Sequence, residues 1–184
     1  MADSNITKRA LAAALKELMA EKSFSRINVA DICEKCDMNR KSFYYHFKDK
    51  YDLVNWIFDT EFLSLLYRQY TAVNWDMIEA LCRYFYENRS FYRKAFEIEG
   101  QNSFTEHFYE LMLGAIQSFL YERMAEERIG EMQYRFFADA AVMAIRRWIT
   151  DKNCMPPEEL IQQLKLCLPC MRAIAANPLE DTTK

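Results

Sequence analysis

The sequence predicts an all-α protein, and three observations support this prediction. Glycine occurs 3 times and proline 4 times in 184 residues, which is fewer turn-forming residues than an all-β chain needs. Apolar side chains recur every three or four residues along most of the chain, which is the spacing of one face of an α-helix. Residues that favour helix N-termini precede these segments. Apolar residues make up 51% of the chain and charged residues 28%, a composition typical of a globular protein.

The N-terminal quarter predicts three helices. The first has one apolar face, formed by Ile6, Leu11, Ala14, Leu15, Leu18 and Met19. Asn28 is suited to cap a short second helix, with Asp31 completing a capping box. Asn39 is suited to cap a third helix over residues 40–46. Between the two short helices, Asp37 occupies a tight turn in which a left-handed backbone conformation is expected.

The rest of the chain predicts longer helices. Asp49 is suited to cap a helix that continues to about Tyr70, and Asn74 or Asp76 to open the next one. Prolines and acidic residues at 156–159 are typical of a helix N-terminus. Ser90 is suited to cap a short helix that ends at Gly100. Ser103 and Glu106 are suited to open a long helix that ends before Gly130, and the next helix is predicted over 131–151. The last helix is predicted to continue to about Ala176, with a kink near Pro169.

Charge is distributed unevenly between the two ends of the chain. Residues 1–50 carry 10 basic and 7 acidic side chains, whereas residues 51–184 carry 14 basic and 20 acidic ones. A mildly basic N-terminal segment on an acidic remainder suggests two separate roles for these regions.

The first three predicted helices have the arrangement of a helix-turn-helix DNA-binding unit. In that unit the second of two short helices enters the major groove. Its exposed side chains here would be Arg40, Lys41, Ser42, Tyr44 and Tyr45. Arginine and lysine donate to guanine, serine donates or accepts, and tyrosine rings contact thymine methyl groups or reach phosphate. The alternative is an exposed polar helix that has no part in DNA binding.

Residues 6–58 resemble the DNA-binding region of the TetR/AcrR family of transcriptional regulators. The resemblance is carried by Ile27-Asn28-Val29-Ala30-Asp31-Ile32, by Met38 to Lys50 with its string Phe-Tyr-Tyr-His-Phe-Lys-Asp-Lys, and by Asp52-Leu53. It implies a three-helix DNA-binding head over residues 1–50 and a larger helical ligand-binding and dimerisation body over residues 51–184. It also implies a homodimer that binds a palindromic operator in double-stranded DNA, as a ligand-responsive regulator and most simply a repressor.

The resemblance assigns roles to individual residues of the head. Four match positions that meet bases or the adjacent backbone, namely Arg40, Lys41, Ser42 and Tyr44. Three match positions that hold phosphate, namely Tyr45, His46 and Lys50. Asn28 matches a helix cap that often touches phosphate and is usually threonine or serine in the family. Asp37 stands where the family usually has glycine.

The body resembles a TetR branch that includes regulators of dihydroxyacetone kinase. The resemblance is carried by residues 88–96 and by residues 99–104. It implies that some relatives act as co-activators through a protein partner. A co-regulator of the same fold that acts through a protein partner therefore remains an alternative to a ligand-responsive DNA-binding protein.

Two sets of body residues are candidates for further sites. An effector pocket would be lined by Tyr84, Phe85, Phe104, Phe108 and Met112, although aromatic stripes at helical spacing also occur as plain core. A homodimer interface would bury the apolar stripes of the last two helices, centred on Ala141, Ala144, Ile145, Trp148, Ile161, Leu164 and Leu168.

The remaining signals predict no catalysis and no cofactor. Cys33 and Cys36 lie on the inner face of the second helix, where cysteine behaves as a small apolar residue. Cys167 and Cys170 leave a thiol-redox or zinc protein as a remote alternative. No glycine-rich phosphate loop is present, and no metal site is predicted. The chain start lacks the pattern of a signal peptide and no apolar run reaches 18 residues, so a cytoplasmic protein without a membrane partner is expected.

Overall fold

A computed structural model describes residues 2–70, 73–100, 102–123 and 129–176, and within these ranges the regular elements are all helical. The helices are α1 (Ala2–Glu21), α2 (Val29–Lys35), α3 (Arg40–His46), α4 (Lys50–Phe58), α5 (Ser64–Gln69), α6 (Trp75–Glu87), α7 (Arg89–Ala95), α8 (Phe104–Arg123), α9 (Glu131–Thr150) and α10 (Pro157–Ala176). The all-α prediction is confirmed. No helix in the described ranges is long and apolar enough to cross a membrane.

The head, α1 to α3, follows the local signals in its sequence closely. Asn28 and Asp31 form the predicted capping box at the start of α2, with Asp31 N donating to Asn28 Oδ1 at 3.0 Å. Asn39 caps α3 and accepts the Ser42 N–H at 2.8 Å. Asp37 has a φ of 53°, as expected for the turn. Apolar side chains on all three helices close one core, including Leu15, Ile32 and Phe43, each 0% exposed.

The helix predicted to run from Asp49 to Tyr70 is interrupted by a change in hydrogen-bond spacing. Asp49 caps α4 as predicted and accepts the N–H groups of Tyr51 and Asp52, both at 2.9 Å. Between α4 and α5 the chain forms a π-helical turn over Asp59–Leu63. Such a turn holds an extra residue within one helical repeat, which shifts the directions of the side chains that follow it.

The junction between α6 and α7 differs from the prediction. Asn74 caps α6 as expected, because its side chain accepts the Met77 N–H at 2.9 Å. Asn88 rather than Ser90 precedes α7, and its carbonyl accepts the N–H groups of Phe91 and Tyr92. Ser90 lies inside the first turn. The helix also ends at Ala95, five residues before Gly100, which adopts a φ of 105°.

The long helices of the body begin where their sequences indicate. Ser103 Oγ accepts the Glu106 N–H at 3.3 Å. The Glu106 carboxylate, however, accepts the Asn102 N–H at 2.8 Å, and not the Ser103 N–H that a capping box would use. The predicted capping box is therefore shifted by one residue on one side. Glu131 opens α9 and Pro157 opens α10, as predicted.

The residues predicted to line an effector pocket belong instead to a packed aromatic core. Phe85 lies parallel to Phe58 with ring centroids 5.6 Å apart, and Phe104 lies parallel to Phe108 at 6.0 Å. Phe85, Phe104 and Phe108 are all 1% exposed or less. Tyr84 OH is 2.7 Å from Tyr92 OH, and Met112 packs against the same core. Sequence spacing shows that these residues face inward, but it does not show that neighbouring rings fill the space between them.

The predicted dimer interface requires a similar correction. Ile145, Trp148 and Ile161 are buried inside the subunit, where a second copy cannot reach them. Ala141, Ala144 and Leu164 are half-buried, and the Leu168 side chain lies outside the described residues. The exposed apolar side chains of α9 and α10 lie on other faces of the same helices, at Met132, Phe136, Met143, Leu166 and Met171. Both helices carry apolar residues on more than one face, and the sequence did not show which face the subunit core uses.

Candidate nucleic-acid interface

Helix α3 presents a basic and aromatic surface to solvent. Phe43 anchors the helix in the head core, and this fixes the opposite face outward. Arg40 and Lys41 are exposed on the first turn. Tyr44 is 58% exposed and Tyr45 is 82% exposed, which is unusual for rings of this size. Four of the five side chains that the sequence predicted on this face are therefore exposed together, and the fifth, Ser42, is half-buried beside them.

The cations on this surface have no acidic partners. Among the residues that the structure describes, no carboxylate lies within ion-pair distance of Arg40 or Lys41, whereas Lys22 and Lys35 of the same head are paired with Asp31, Glu17 and Glu21. Unpaired guanidinium and ammonium groups remain free to donate to phosphate oxygens and base edges. Lys48, two residues beyond α3, is also exposed, and no role was predicted for it from the sequence.

Ser42 and His46 are held in place by their neighbours. Ser42 Oγ lies 3.3 Å from Asn39 Oδ1, so the cap of α3 also orients this hydroxyl. His46 packs edge-on against Tyr45, with ring centroids 4.9 Å apart, and contacts Phe47. Both side chains are half-buried and border the exposed surface. These contacts are compatible with the predicted roles beside the DNA backbone.

Asn28 has a structural role that limits its contact with DNA. Its Oδ1 accepts the Asp31 N–H, which leaves the side-chain NH2 group as the donor for a phosphate. The residue is exposed at the start of α2. Asp31 in turn accepts from Asn28 N at 3.1 Å and from Lys22 Nζ at 2.7 Å, so this helix start is held from both sides.

Lys50 is placed differently from its predicted role as a phosphate contact. Its Nζ donates to the carbonyl oxygens of Phe24 and Ile27, at 2.8 and 2.7 Å, and lies 4.3 Å from the centre of the Phe24 ring. Burial lowers the pKa of this ammonium group. Lys50 therefore ties the start of α4 to the segment that leads into α2. Sequence spacing could not reveal this, because its partners are backbone carbonyls more than 20 residues away.

An open groove of about 1100 Å³ lies between α8 and α9. Its walls include Tyr109, Glu110, Phe136, Asp139 and Met143, and Asn55 of α4 and Thr105 also line it. None of the five predicted pocket residues is among its lining residues. The buried Asn55 Oδ1 and Thr105 Oγ1 have no hydrogen-bond partner within the described ranges.

The cysteine thiols differ in their burial. Burial raises the pKa of Cys33 and of Cys36, and Cys36 Sγ donates to Ile32 O at 3.2 Å. Cys167 and Cys170 are exposed on α10. The described residues contain no cluster of three or more side chains arranged to hold a metal ion.

Comparisons with known proteins agree with the geometry of the head. Residues 10–57 match the family described as bacterial regulatory proteins of the tetR family, and residues 74–169 match a transcriptional regulator C-terminal region of the same family. The chain belongs to the TetR family of transcriptional regulators. Members of this family are DNA-binding proteins rather than enzymes.

Individual relatives place the chain within the family. It is 34% identical over 110 residues to the dhaKLM operon transcriptional activator DhaS of Lactococcus lactis, covering 59% of this chain and 57% of that protein. The aligned part of the chain thus spans less than two thirds of that relative. A solved structure named dihydroxyacetone kinase operon activator DhaS superimposes with a TM-score of 0.66 at 26% identity, over 92% of this chain and 97% of that one.

More distant structures share the fold alone. A TetR transcriptional regulator from Streptococcus agalactiae gives a TM-score of 0.66 at 20% identity, covering 90% of this chain and 94% of that one. NalD, the secondary repressor of a multidrug efflux pump in Pseudomonas aeruginosa, gives 0.60 at 19% identity, covering 90% and 97%.

Proposed function

We propose that this TetR-family protein binds a palindromic operator as a homodimer and changes its DNA affinity in response to an effector. The observation that carries the proposal is the exposed α3 surface, on which Arg40 and Lys41 have no acidic partner among the described residues and two tyrosine rings face solvent. A co-regulator that acts only through a protein partner would have no need for this combination. Such a regulator acts where the chromosome lies, so we also propose a cytoplasmic location.

Selection of random double-stranded oligonucleotides with the purified protein tests DNA binding. An enriched palindrome with half-sites one helical turn apart is expected. Arg40→Ala should weaken binding by about 1–3 kcal/mol and relax preference at one base position. Lys152→Ala, which removes an exposed cation from the loop after α9, should leave binding unchanged. If no sequence is enriched and Arg40→Ala binds as the unmodified protein does, the co-regulator alternative replaces this proposal.

The homodimer is proposed on the exposed faces of α9 and α10. Met132, Phe136 and Met143 form an exposed stripe on α9, because they are spaced by four and seven residues. Leu166 and Met171 are large exposed apolar residues of α10. A second head is needed because one short helix touches too few phosphates and bases for useful specificity. Exposed apolar residues grouped in this way are typical of a surface that packs against another chain.

Light scattering tests the interface. Phe136 is 61% exposed, so the single subunit should fold normally with arginine at this position. Dimerisation of Phe136→Arg would bury an unpaired charge in the interface, and this should prevent the dimer from forming. The expected result is a dimer for the unmodified protein and a monomer for this variant. Ile6→Arg, a substitution at a site in the head that is 65% exposed, should remain dimeric. A monomeric unmodified protein would contradict the homodimer, and a dimeric Phe136→Arg would contradict this choice of face.

The groove between α8 and α9 is the proposed effector site. Phe136 and Met143 belong both to the exposed stripe and to the groove wall, so a second copy on this face would close the groove. Arg135 is paired with Glu131 at 2.6 Å, whereas Glu110 and Asp139 have no ion-pair partner among the described residues. The groove therefore favours an effector that donates hydrogen bonds or carries positive charge.

Thermal-shift screening with amines, polyols and organic acids tests this assignment. Asp139→Asn should abolish the response to the best amine or polyol, and Glu159→Gln, an exposed site outside the groove, should not. A response confined to organic acids, or one unaffected by Asp139→Asn, would place the effector elsewhere. The direction of regulation requires a promoter fusion, since the sequence predicts a repressor whereas the relative DhaS is named an activator.

A further inference from the structure

Helix α7 carries a basic side chain at each end, and each one binds the C-terminal end of a different helix. At its C-terminal end, Lys94 Nζ donates to the carbonyl oxygens of Met19, Ala20 and Lys22. These carbonyls belong to the last turn of α1 and the residue that follows it. Lys94 is a body residue, whereas α1 belongs to the head, so this contact joins the two parts.

The other end of α7 holds α9 in the same manner. Arg89 Nε donates to Ile149 O at 3.4 Å, and Arg89 Nη2 donates to Lys152 O at 3.2 Å and also to Asp151 O. The last carbonyls of a helix lack backbone partners and carry partial negative charge, so a cation placed there is stabilised by both hydrogen bonding and the helix dipole.

The middle of α7 is fixed in the core of the body. Tyr92 and Ala95 are 0% exposed and Phe91 is 6% exposed. Tyr92 OH is also hydrogen-bonded to Tyr84 OH at 2.7 Å. A short helix anchored in this way moves with the core, and the two basic side chains therefore connect α1 to α9 through a rigid element.

A second contact between head and body lies about one turn before the C-terminal end of α1. Lys16 Nζ is 2.6 and 2.5 Å from the two carboxylate oxygens of Glu61, which belongs to the π-helical turn. Helix α1 is thus tied at Lys16 and again at its C-terminal end. Together with the apolar packing of α1, these two ties oppose rotation of the head against the body.

We propose that Lys94 and Arg89 are positioning residues that set the orientation of the head relative to α9, and with it the spacing of the two heads in the dimer. The proposal rests on the proposed homodimer and its α9 interface. Lys94 does not contact DNA in this scheme, because its ammonium group is already bound to α1 carbonyls. Its effect on binding comes from the geometry of the head.

Operators of different half-site spacing test the positioning role. The palindrome enriched by the unmodified protein would be compared with versions one base pair longer or shorter, and with a single half-site, in gel-shift titrations. The unmodified protein should prefer its own spacing by about tenfold. Lys94→Met should reduce this preference to about threefold or less, while binding to the single half-site is unchanged.

Matched variants separate positioning from general loss of structure. Arg93→Met removes a neighbouring exposed cation of α7, whose contact with Glu97 is 3.9 Å long, and should keep the spacing preference. Lys94→Arg restores a donor and should recover most of the preference. Arg89→Gln removes the contact with α9 and should also reduce the preference for the native half-site spacing. If circular dichroism shows that Lys94→Met does not fold, Arg89→Gln replaces it in the experiment.

The outcomes distinguish this proposal from the proposed function. If the unmodified protein enriches no sequence, the proposed function fails and the positioning role fails with it. If it enriches a palindrome but folded Lys94→Met and Arg89→Gln keep the full spacing preference, only the positioning role is refuted. Equal losses on the single half-site and on the palindrome would also refute it, since that pattern indicates damage to the DNA-reading surface itself.

Discussion

Replacing Lys50 with methionine separates a structural role from a DNA-contact role. Methionine keeps an unbranched apolar side chain but removes the ammonium group that donates to Phe24 O and Ile27 O at 2.8 and 2.7 Å. Hydrogen bonds that involve a charged group contribute about 1.5–3 kcal/mol each when well buried. Because Lys50 is half-buried and burial also lowers its pKa, the two bonds together should contribute nearer to about 2 kcal/mol.

The assay combines urea unfolding with the salt dependence of DNA binding. Lys50→Met should lower the free energy of unfolding by about 2 kcal/mol and leave the slope of log K against log salt unchanged. Lys41→Met is the matched control. It removes an exposed cation of α3 and should leave stability unchanged while reducing the slope by about one unit.

The opposite pattern would refute this reasoning. If Lys50→Met kept full stability and reduced the salt slope by about one unit, Lys50 would be a phosphate contact, as its position in the motif first indicated. The carbonyl contacts would then be replaced by phosphate on binding.

Three further predictions test the head and the core. The hydrogen bond from Lys22 and that from the Asn28 N–H lower the pKa of Asp31 in the folded protein. The ionised Asp31 therefore stabilises the fold fully at pH values above its unfolded-state pKa of about 3.9, and this stabilisation is lost as the pH falls through its lower folded-state pKa. In urea unfolding, the free energy of unfolding of Asp31→Asn should therefore fall less between neutral and acid pH than that of the unmodified protein. An equal fall in both proteins would contradict this role. Asp37→Gly relieves a φ of 53° and should raise stability by up to about 1 kcal/mol in the same assay, whereas a loss would mean that the Asp37 side chain makes a needed contact. Phe85→Ala should cost about 3–5 kcal/mol, and a cost below about 1 kcal/mol would indicate space around the ring rather than close packing.

Sequence reasoning succeeded where structure depends on neighbouring residues. The caps at Asn28, Asn39, Asp49 and Asn74 follow from side chains that bind N–H groups two or three residues away. The positive φ of Asp37 follows equally from the shortness of its turn. The exposed side chains of α3 could be predicted because the helix is short and amphipathic, with Phe43 marking its inner face.

Prediction failed where a role depends on distant parts of the chain. The π-helical turn at Asp59–Leu63 leaves no distinct apolar period, so the sequence predicted one continuous helix. Trp148 and Ile161 lie on apolar stripes, but only the packed structure shows that these stripes face the subunit's own core. An aromatic residue such as Phe85 is suited either to contact a ligand or to pack in a core. Only the neighbouring side chains, which the structure shows, distinguish these two roles.

The net charge of the head is a poor measure of how many of its cations are available to contact DNA. Several of its cations are occupied within the protein, either by carboxylates or by backbone carbonyls; these are Lys16, Lys22, Lys35 and Lys50. Within the part of the chain that the structure describes, the cations without such partners include Arg40, Lys41 and Lys48, grouped within nine residues in and just after α3. The small surplus of basic residues in the sequence thus becomes a more concentrated surface because carboxylates bind Lys16, Lys22 and Lys35, and the backbone carbonyls before α2 bind Lys50. DNA affinity should accordingly depend on which cations are unpaired. Substitutions at Lys22 or Lys35 should therefore affect the stability of the protein more than its DNA affinity.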